Sequence, residues 1–306
     1  MTQIKNPRRK LDGVLLLDKA TGVSSNRALQ QVKHLFNAAK AGHTGSLDPL
    51  ASGVLPICFG EATKFSRFLL DADKTYLVTA QLGVITDSGD SEGAIIAENP
   101  VPEFADADIL RCIAAFKGSG SQVPSMFSAL KHNGQPLYKL ARQNITVDRP
   151  ARDIYVHEYE LLSRTHDTVT CKIKCSKGTY IRTMVEDLGN ALGCGAHVTS
   201  LRRVQAGPFG IERCYAYTDL EYIEDLPGVL LPVESLLSGL PKVVLDETDA
   251  AAIRNGKQIH ITSGALGLVS AFSADNNLLG IIEVCAAYAK AVRITSARNV
   301  AQLGVG

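Results

Sequence analysis

The sequence lacks tryptophan and has few other aromatic residues, which together make up 6% of its 306 residues. Its seven cysteines form no CxxC pair and no Cys/His zinc spacing, which favours reduced thiols over a disulfide framework or a metal site. The motifs GK[ST] and GxSxG are absent, which argues against a P-loop or a serine hydrolase. The segment 118–120, Gly-Ser-Gly, lacks the third glycine of a dinucleotide-binding turn.

Long hydrophobic runs are also missing. No stretch approaches the length of a membrane span, and the apolar run at residues 14–17 is too short for the hydrophobic part of a secretory signal. We therefore expect a cytoplasmic protein that does not engage a membrane.

The charges of the chain are nearly balanced but unevenly placed. The formal net charge is +1, yet residues 172–182 carry four basic and no acidic side chains, and residues 219–250 carry eight acidic side chains against Lys242 alone. A basic surface is typical of proteins that bind nucleic acid, although a solvated face also carries runs of like charge. With 45% hydrophobic and 21% charged residues, the chain has the composition of a globular protein of one large domain or two.

Helical and strand patterns alternate along the first two-thirds of the chain. Ser24 or Ser25 is placed to cap a helix that ends near Asn37, and further helices are predicted over residues 61–70 and 100–117. The order of these elements indicates mixed α and β structure.

Alternating apolar residues predict strands at 76–82 and 169–175, and the two cysteines of the second strand would face the core. Thr183 and Glu186 form a candidate capping box for the helix that follows. Residues 121–152 are basic and irregular, and we expect no regular element there.

The glycine-rich loop at residues 42–50, Gly-His-Thr-Gly-Ser-Leu-Asp-Pro-Leu, is the most informative stretch. Gly42 and Gly45 permit tight turns, while Pro49 lacks an N–H and pushes Asp48 toward extended geometry. The loop thus presents a carboxylate at the end of an element, as a reactive acid would be presented. An Asx-type turn, in which Asp48 bonds only its own backbone, fits the same spacing.

From residue 42 to residue 53 the loop resembles the catalytic loop of the TruB family of tRNA pseudouridine synthases. The resemblance continues in ordered motifs: Asp18-Lys19 with Gly22, Ser24 and Ser25; Lys74-Thr75-Tyr76; residues 176–182, Ser-Lys-Gly-Thr-Tyr-Ile-Arg; and Leu201-Arg202-Arg203. Two positions depart from the family pattern. Ala20 stands where proline is usual, and Ser46 stands where alanine or threonine is common.

The resemblance implies an isomerase that converts uridine to pseudouridine in the T loop of tRNA, at position 55, with no cofactor and no metal. Asp48 falls on the family's nucleophile, and Arg182 falls on a cation expected to pair with it and to hold the pKa of its carboxyl down. Tyr76 would stack on a flipped-out base and could take part in proton transfer. The other substrate-binding candidates are His43, Tyr180, Leu201 and Lys19.

The resemblance also implies an organisation. Residues 1–240 would form an α+β catalytic domain, a mixed and largely antiparallel sheet flanked by helices, with an insertion at about 121–152 that grips the T arm. Residues 243–306, a series of short β-like runs, would form a small PUA-like RNA-binding domain. We expect a monomer.

Each candidate also has an ordinary structural explanation. Tyrosine and leucine at such spacing commonly lie in a core, and an arginine after a strand commonly contacts solvent or phosphate. His43 could be a structural loop residue, and Lys19 could organise the site or contact a phosphate. The basic insertion could be a surface loop without a ligand.

Other functions fit less well or coexist with the first. A glycoside hydrolase needs a second carboxylate, and none accompanies the Asp48 loop. An RNA chaperone could use the basic insertion and the small β domain without catalysis. A guide-RNA-dependent relative is a further alternative, but the intact insertion and the lack of long basic tails favour the stand-alone bacterial type.

Overall fold

The described residues contain two large sheets, one of ten strands and one of five, and two small sheets of two strands each, one within residues 84–98 and one within residues 131–136. The computed structural model describes residues 7–261 and 264–296. Residues 1–6 lie outside the described residues, as do residues 262–263 and 297–306 of the predicted C-terminal β domain.

Seven α-helices lie in the described residues: α1 (Ser25–Leu35), α2 (Ser66–Leu70), α3 (Asp106–Ala115), α4 (Leu137–Ala141), α5 (Ile181–Ala191), α6 (Tyr217–Leu220) and α7 (Glu247–Arg254). Among those helices, none is both long enough and apolar enough to span a membrane.

The strands of the first half are β1 (Gly13–Lys19), β2 (Ala41–His43), β3 (Ser52–Phe59), β4 (Lys74–Leu82), β5 (Val84–Thr86), β6 (Ile95–Glu98), β7 (Gly118–Gln122), β8 (Lys131–His132) and β9 (Gln135–Pro136). Those of the second half are β10 (Arg152–Arg164), β11 (Thr168–Cys175), β12 (Ala196–Ala206), β13 (Phe209–Gly210), β14 (Tyr215–Ala216), β15 (Lys242–Leu245), β16 (Ile259–His260), β17 (Gly267–Ser273), β18 (Leu278–Cys285) and β19 (Tyr288–Ile294).

The large sheet is mixed and mainly antiparallel. Its strand order is β14-β1-β3-β12-β4-β11-β10-β7, with β2 added beside β3 and β13 beside β12. Among the described strand pairs of this sheet, β1–β14 and β12–β3 are the parallel ones. The predicted α+β fold class, with a largely antiparallel sheet flanked by helices and a small C-terminal β unit, is confirmed.

The centre of the sheet is buried on both faces. On β1, Leu15 and Leu17 pack under α1, whereas Val14 and Leu16 pack on the opposite side with Phe65. A third cluster joins α3 and α5 to β4, β11 and β12. Strands buried on both faces read as continuous apolar runs, which explains the run at residues 14–17.

Several local predictions are confirmed. Ser24 caps α1, since its side chain accepts a hydrogen bond from the backbone N–H of Arg27. The two thiols of β11, Cys171 and Cys175, are buried as the alternation predicted. Within the span 61–70, a 3₁₀ helix and the short α2 replace the single predicted helix.

Other local predictions are wrong. The capping box at Thr183 and Glu186 does not form, because α5 already begins at Ile181 with Tyr180 as its N-cap residue. The segment 121–152 is not wholly irregular, since it contains the β8–β9 hairpin and α4. Helix α7 was not predicted, although Asp246 caps it by accepting a hydrogen bond from Asp249.

The five-stranded sheet, order β15-β17-β18-β19-β16, lies in the region predicted as a small β domain. It packs on the large sheet through Ile281, which joins the cluster that contains Phe65. Lys64 donates hydrogen bonds to the carbonyl of Ile294 and the hydroxyl of Ser296. The domain boundaries near residues 240 and 243 stay a prediction.

One close backbone approach joins the strands that carry the site. Gly53 on β3 lies directly beside Arg203 on β12, at a φ of +103°. A Cβ at this position would overlap the backbone nitrogen and carbonyl oxygen of Arg203. Only glycine allows both the left-handed conformation and this spacing.

We expect Gly53→Ala to lower the free energy of unfolding by on the order of 3 kcal/mol, because β12 must move away from β3. Urea unfolding followed by circular dichroism measures the change. Gly239→Ala is the matched control, since a Cβ there meets nothing within 4 Å and its φ is not positive. Equal stability of the two variants would contradict the interpretation.

Candidate active site

The loop that carries Asp48 connects β2 to β3, and hydrogen bonds from Ser25 and Gly22 fix its backbone. Ser25 at the start of α1 both donates to the carbonyl of Leu47 (2.9 Å) and accepts from its N–H (2.7 Å). The backbone N–H of Gly22 donates to the carbonyl of Pro49 at 2.8 Å. The two serines of the motif therefore have different tasks, since Ser24 caps the helix and Ser25 fixes the loop.

Arg182, on the first turn of α5, forms an ion pair with Asp48. Its Nη2 lies 2.9 Å from Asp48 Oδ2, and its side chain is only 5% exposed, whereas that of Asp48 is 42% exposed. The guanidinium also donates to the carbonyls of Ser88 (2.8 Å) and Phe127 (2.7 Å). A buried cation thus holds a carboxylate that faces an opening.

A second carboxylate shares the same guanidinium. Asp90 Oδ2 lies 3.4 Å from Arg182 Nη1, and the Asp90 side chain is 5% exposed. Its other oxygen accepts from the hydroxyl of Ser88 (2.6 Å) and the N–H of Glu92 (3.1 Å). Asp90 therefore occupies the buried side of Arg182 and leaves Asp48 the open side.

The net pKa shift of Asp48 is opposite to the one expected. Desolvation by the surrounding protein raises the pKa of Asp48, and Asp90 adds to this rise. Arg182 and, more weakly, Lys19 lower it without cancelling the desolvation. The cation is thus present as predicted, but it reduces an upward shift of the pKa and does not produce a downward one.

Lys19, the last residue of β1, contacts the backbone of the loop that carries Asp48. Its ammonium donates to the carbonyls of Ala20 (2.9 Å), Val23 (2.6 Å) and Pro49 (3.5 Å), and the residue is 1% exposed. Burial lowers the pKa of Lys19 to about 8. These contacts fit the alternative in which Lys19 organises the site, and its burial argues against a phosphate contact.

Tyr76 and Leu201 line one apolar wall with Leu47 of the loop. Tyr76 is on β4 and Leu201 on β12, and the three side chains belong to one cluster. The nearby Asp48 carboxylate contributes to the raised pKa of Tyr76, whose main cause is burial. Leu47, which comes directly before Asp48 in the loop, thus packs in the same cluster as Tyr76 and Leu201.

Tyr180 stands at the junction of β11 and α5. Gln122, at the end of β7, accepts from the Tyr180 N–H (2.7 Å) and donates to its carbonyl (3.1 Å). This backbone clamp sets where α5 begins, and with it the position of Arg182.

His43 is the last residue of β2 and precedes Asp48 by five residues in the chain. Its Nδ1 is buried without a hydrogen-bond partner among the described residues. Burial, with a contribution from Arg203, lowers the pKa of His43, which favours the neutral imidazole. In the described part of the chain, no hydrogen bond joins His43 to Asp48 or Arg182.

Sequence reasoning missed Asp90, Gln122 and Arg203 as members of the site. Asp90 lies in none of the motifs described above, and Arg203 lies in one of them, Leu201-Arg202-Arg203, but without an assigned role. Their local sequence gives no period or spacing that points to the loop 42–50, because the contacts join residues far apart in the chain. In the described residues, no group of three or more His, Cys, Asp or Glu side chains is arranged to hold a metal ion.

Comparison with known proteins bears on this arrangement. The family model "TruB family pseudouridylate synthase (N terminal domain)" matches residues 33–181, and "tRNA pseudouridylate synthase B C-terminal domain" matches residues 182–238. The chain belongs to the TruB family. A tRNA pseudouridine synthase B from Chromohalobacter salexigens is 49% identical over 278 residues, which are 90% of this chain and 91% of the relative.

A second relative and a solved structure are also similar to this chain. The tRNA pseudouridine synthase B of Aromatoleum aromaticum is 48% identical over 283 residues, which cover 92% of this chain and 91% of that one. Among solved structures, a chain of a Cbf5–Nop10–Gar1 complex is 26% identical with a TM-score of 0.72, over 94% of this chain and 84% of that one. The TruB fold therefore extends over most of the chain.

We expect Ser25→Ala to lower kcat by about 10- to 100-fold, because the buried N–H and C=O of Leu47 lose their partner and the Asp48 loop is no longer fixed. Ser24→Ala should instead remove about 1 kcal/mol from the free energy of unfolding and leave kcat within about twofold, since it affects only the helix cap. Kinetics and urea unfolding of both variants test this division. The division fails if both serine variants lose the same activity.

Proposed function

We propose that this chain, a tRNA pseudouridine synthase, isomerises the uridine at position 55 in the T loop, with Asp48 as the catalytic carboxylate. The observation that carries the proposal is the partly exposed Asp48 carboxylate held by the buried Arg182. It occurs in a chain whose 49% identical relative is named tRNA pseudouridine synthase B.

The reaction breaks the bond between N1 of uracil and C1′ of ribose, turns the base, and joins C5 to C1′. It involves no redox change and no external energy, so we propose that it needs neither a cofactor nor a metal. An ionised carboxylate starts it in one of two ways: by covalent attack on the sugar or base, or by removal of a ribose proton. Asp48 serves either route.

Arg182 has two tasks in this proposal. It orients the reacting carboxylate, and it favours the ionised form of Asp48 against the desolvation that raises its pKa. Asp90, through its contact with Arg182 Nη1, keeps the guanidinium in place. Asp90 is thus a positioning residue, since it acts through Arg182.

In this proposal the uracil enters between Tyr76, Leu201 and Tyr180, beside the ion pair. Tyr76 would stack on the base and exchange a proton with it, and His43 would stabilise the nucleotide after it leaves its stack. The unpartnered Nδ1 of His43 supports this assignment, since a buried polar atom without a partner is uncommon in a folded protein.

The T arm would be gripped by the basic insertion at 121–152. Its contact with the site supports this, because the carbonyl of Phe127 accepts from Arg182. The five-stranded C-terminal sheet would add RNA contacts as a PUA-like domain. We further propose that the protein acts as a monomer in the cytoplasm, where its seven free cysteines would stay reduced.

The direct test uses a tRNA transcript with tritium at C5 of uridine, since pseudouridine formation releases this atom. We expect stoichiometric release by the native chain, and release at least about 10³-fold slower with Asp48→Asn or Asp48→Ala. In filter-binding assays, both Asp48 variants should bind tRNA with an affinity within about threefold of the native value, because most tRNA contacts of the proposal do not involve Asp48.

A transcript with cytidine at position 55 controls for the target. Release from this transcript would disprove the T-loop assignment. Tight tRNA binding by the native chain without any release would favour an RNA chaperone over an enzyme.

The acid limb of the pH–rate profile tests the role of Arg182. The carboxylate must be ionised to react, and burial raises the pKa of Asp48 above its ordinary value of 3.8 while Arg182 lowers it. Arg182→Met should therefore move the acid limb of kcat to higher pH, and Arg182→Lys should move it less because a charge remains. Identical acid limbs in the three proteins would contradict this role.

A further inference from the structure

Gln122 is a buried side chain to which the steps above give no task in the reaction. It is the last residue of β7, lies near the start of the basic insertion, and is 5% exposed. Its amide oxygen accepts from the Tyr180 N–H at 2.7 Å, and its amide nitrogen donates to the Tyr180 carbonyl at 3.1 Å. A covered side chain whose two polar atoms are both bonded to protein is badly placed to contact RNA, so its task lies inside the protein.

The start of α5 has little support from its own sequence. Its N-cap residue, Tyr180, makes no side-chain hydrogen bond to the helix, and the first turn contains no acidic residue. The second residue of the helix is instead Arg182, and the helix dipole opposes a cation near a helix N-terminus. The start of α5 therefore depends on contacts from other parts of the fold.

Residues 122–127, which we call the frame segment, provide two of these contacts. The Tyr180 carbonyl that accepts from Gln122 also accepts from the N–H of Met184 at 3.2 Å, so Gln122 holds the peptide group on which the first turn is built. Five residues later, the carbonyl of Phe127 accepts from Arg182 Nη2 at 2.7 Å. The frame segment thus fixes α5 both at its backbone and at its guanidinium.

The position of this first turn matters because Arg182 is shared between two carboxylates. Its nitrogens lie 2.9 Å from Asp48 and 3.4 Å from Asp90. Arg182 follows Tyr180 by two residues, so a shift of the Tyr180 backbone changes both distances. The attraction between the guanidinium and Asp48 weakens as their distance grows, and the orientation of the carboxylate is lost with it.

We propose that Gln122 is a positioning residue for the isomerisation: by fixing the Tyr180 backbone, it sets the Arg182 guanidinium against the Asp48 carboxylate. The insertion then has two parts with separate tasks. The frame segment serves the chemical step, whereas α4 and the residue after it, with the exposed cations of Lys139 and Arg142, serve tRNA binding. The inference rests on the proposed function, because it concerns the carboxylate of that reaction.

A purely structural task for Gln122 predicts a different result. Loss of a buried hydrogen-bonding side chain would then lower the free energy of unfolding, while the folded fraction would keep the pH dependence of the native protein. A positioning task instead changes the ionisation of Asp48 in the folded protein. The acid limb of the pH–rate profile therefore separates the two explanations.

The experiment measures single-turnover tritium release from saturating tRNA as a function of pH. We expect Gln122→Met to lower the rate by about 10- to 100-fold, because Arg182 no longer holds Asp48 in one position. The acid limb should move to higher pH, since a more distant guanidinium lowers the pKa of Asp48 less. Filter binding should give a tRNA affinity within about threefold of the native value.

Two kinds of control variant accompany it. Gln81 is a glutamine of the same sheet whose amide donates to the carbonyls of Leu82 and Asp167, and Gln81→Met should keep the native rate and acid limb. Lys139→Met and Arg142→Met should weaken tRNA binding by about 3- to 10-fold and leave the acid limb at its native pH.

A double-variant cycle tests the link to Arg182. Gln122→Met should slow an Arg182→Met background by less than about twofold, since the group that Gln122 positions is already absent. Should Gln122→Met fail to fold, as judged by circular dichroism, Gln122→Asn provides the same comparisons, because its shorter side chain retains an amide but cannot bridge both backbone groups of Tyr180.

The outcomes separate the two proposals. No tritium release by the native chain would overturn the proposed function. Native activity, combined with an unmoved acid limb in the Gln122 variants or with fully additive effects of Gln122 and Arg182, would overturn only the positioning role of Gln122. A slower reaction with a shifted acid limb, native tRNA affinity and non-additive losses is the result that we expect.

Discussion

A single guanidinium, that of Arg182, brings four separate segments of the chain to one point. It pairs with Asp48 of the loop and Asp90 of the turn, and it donates to the carbonyls of Ser88 and Phe127. Two carboxylates so close together would repel each other in a buried place, and the guanidinium between them makes the arrangement possible. The loop, the turn and the insertion therefore take their mutual positions from one side chain.

A second arginine, Arg203 on β12, also contacts the loop that carries Asp48. It holds the carbonyl of Gly45, while Arg182 holds the carboxylate of Asp48 three residues later. Both arginines start from regular elements, β12 and α5, and a site that rests on such elements keeps its geometry better than one built on loops alone. The loop can thus be rich in glycine and still present its carboxylate in one position.

The sequence was a good guide where the signal was local. The period of α1 and the alternation in β11 follow from burial of one face, and each was predicted. The boundaries of α5 could not be predicted in this way, because Gln122 fixes Tyr180 from a strand 58 residues away. Local capping preferences pointed to Thr183, and the tertiary contact determined the outcome.

The same reasoning explains which members of the site were found. Asp48 and Arg182 lie in motifs that resemble a family, so a role came with the motif. Asp90 contacts Arg182 across the fold, and in sequence it is one polar residue among several in the turn 86–93. Contacts between distant segments need a register, such as the β12–β4 pairing that sets Arg203 opposite Tyr76, and no local pattern encodes that register.

Because the Asp48 carboxylate is partly exposed, a substrate that covers it changes its solvation. The side chain is 42% exposed, so water still solvates part of the carboxylate in the free protein. A base that stacks on Tyr76 and covers the opening would remove this water, which disfavours the ionised form further. The attraction to Arg182 grows at the same time, since the same loss of water lowers the local dielectric constant. A buried partner such as Arg182, already held by two carbonyls, suits this task because it need not reorganise when the substrate closes the site.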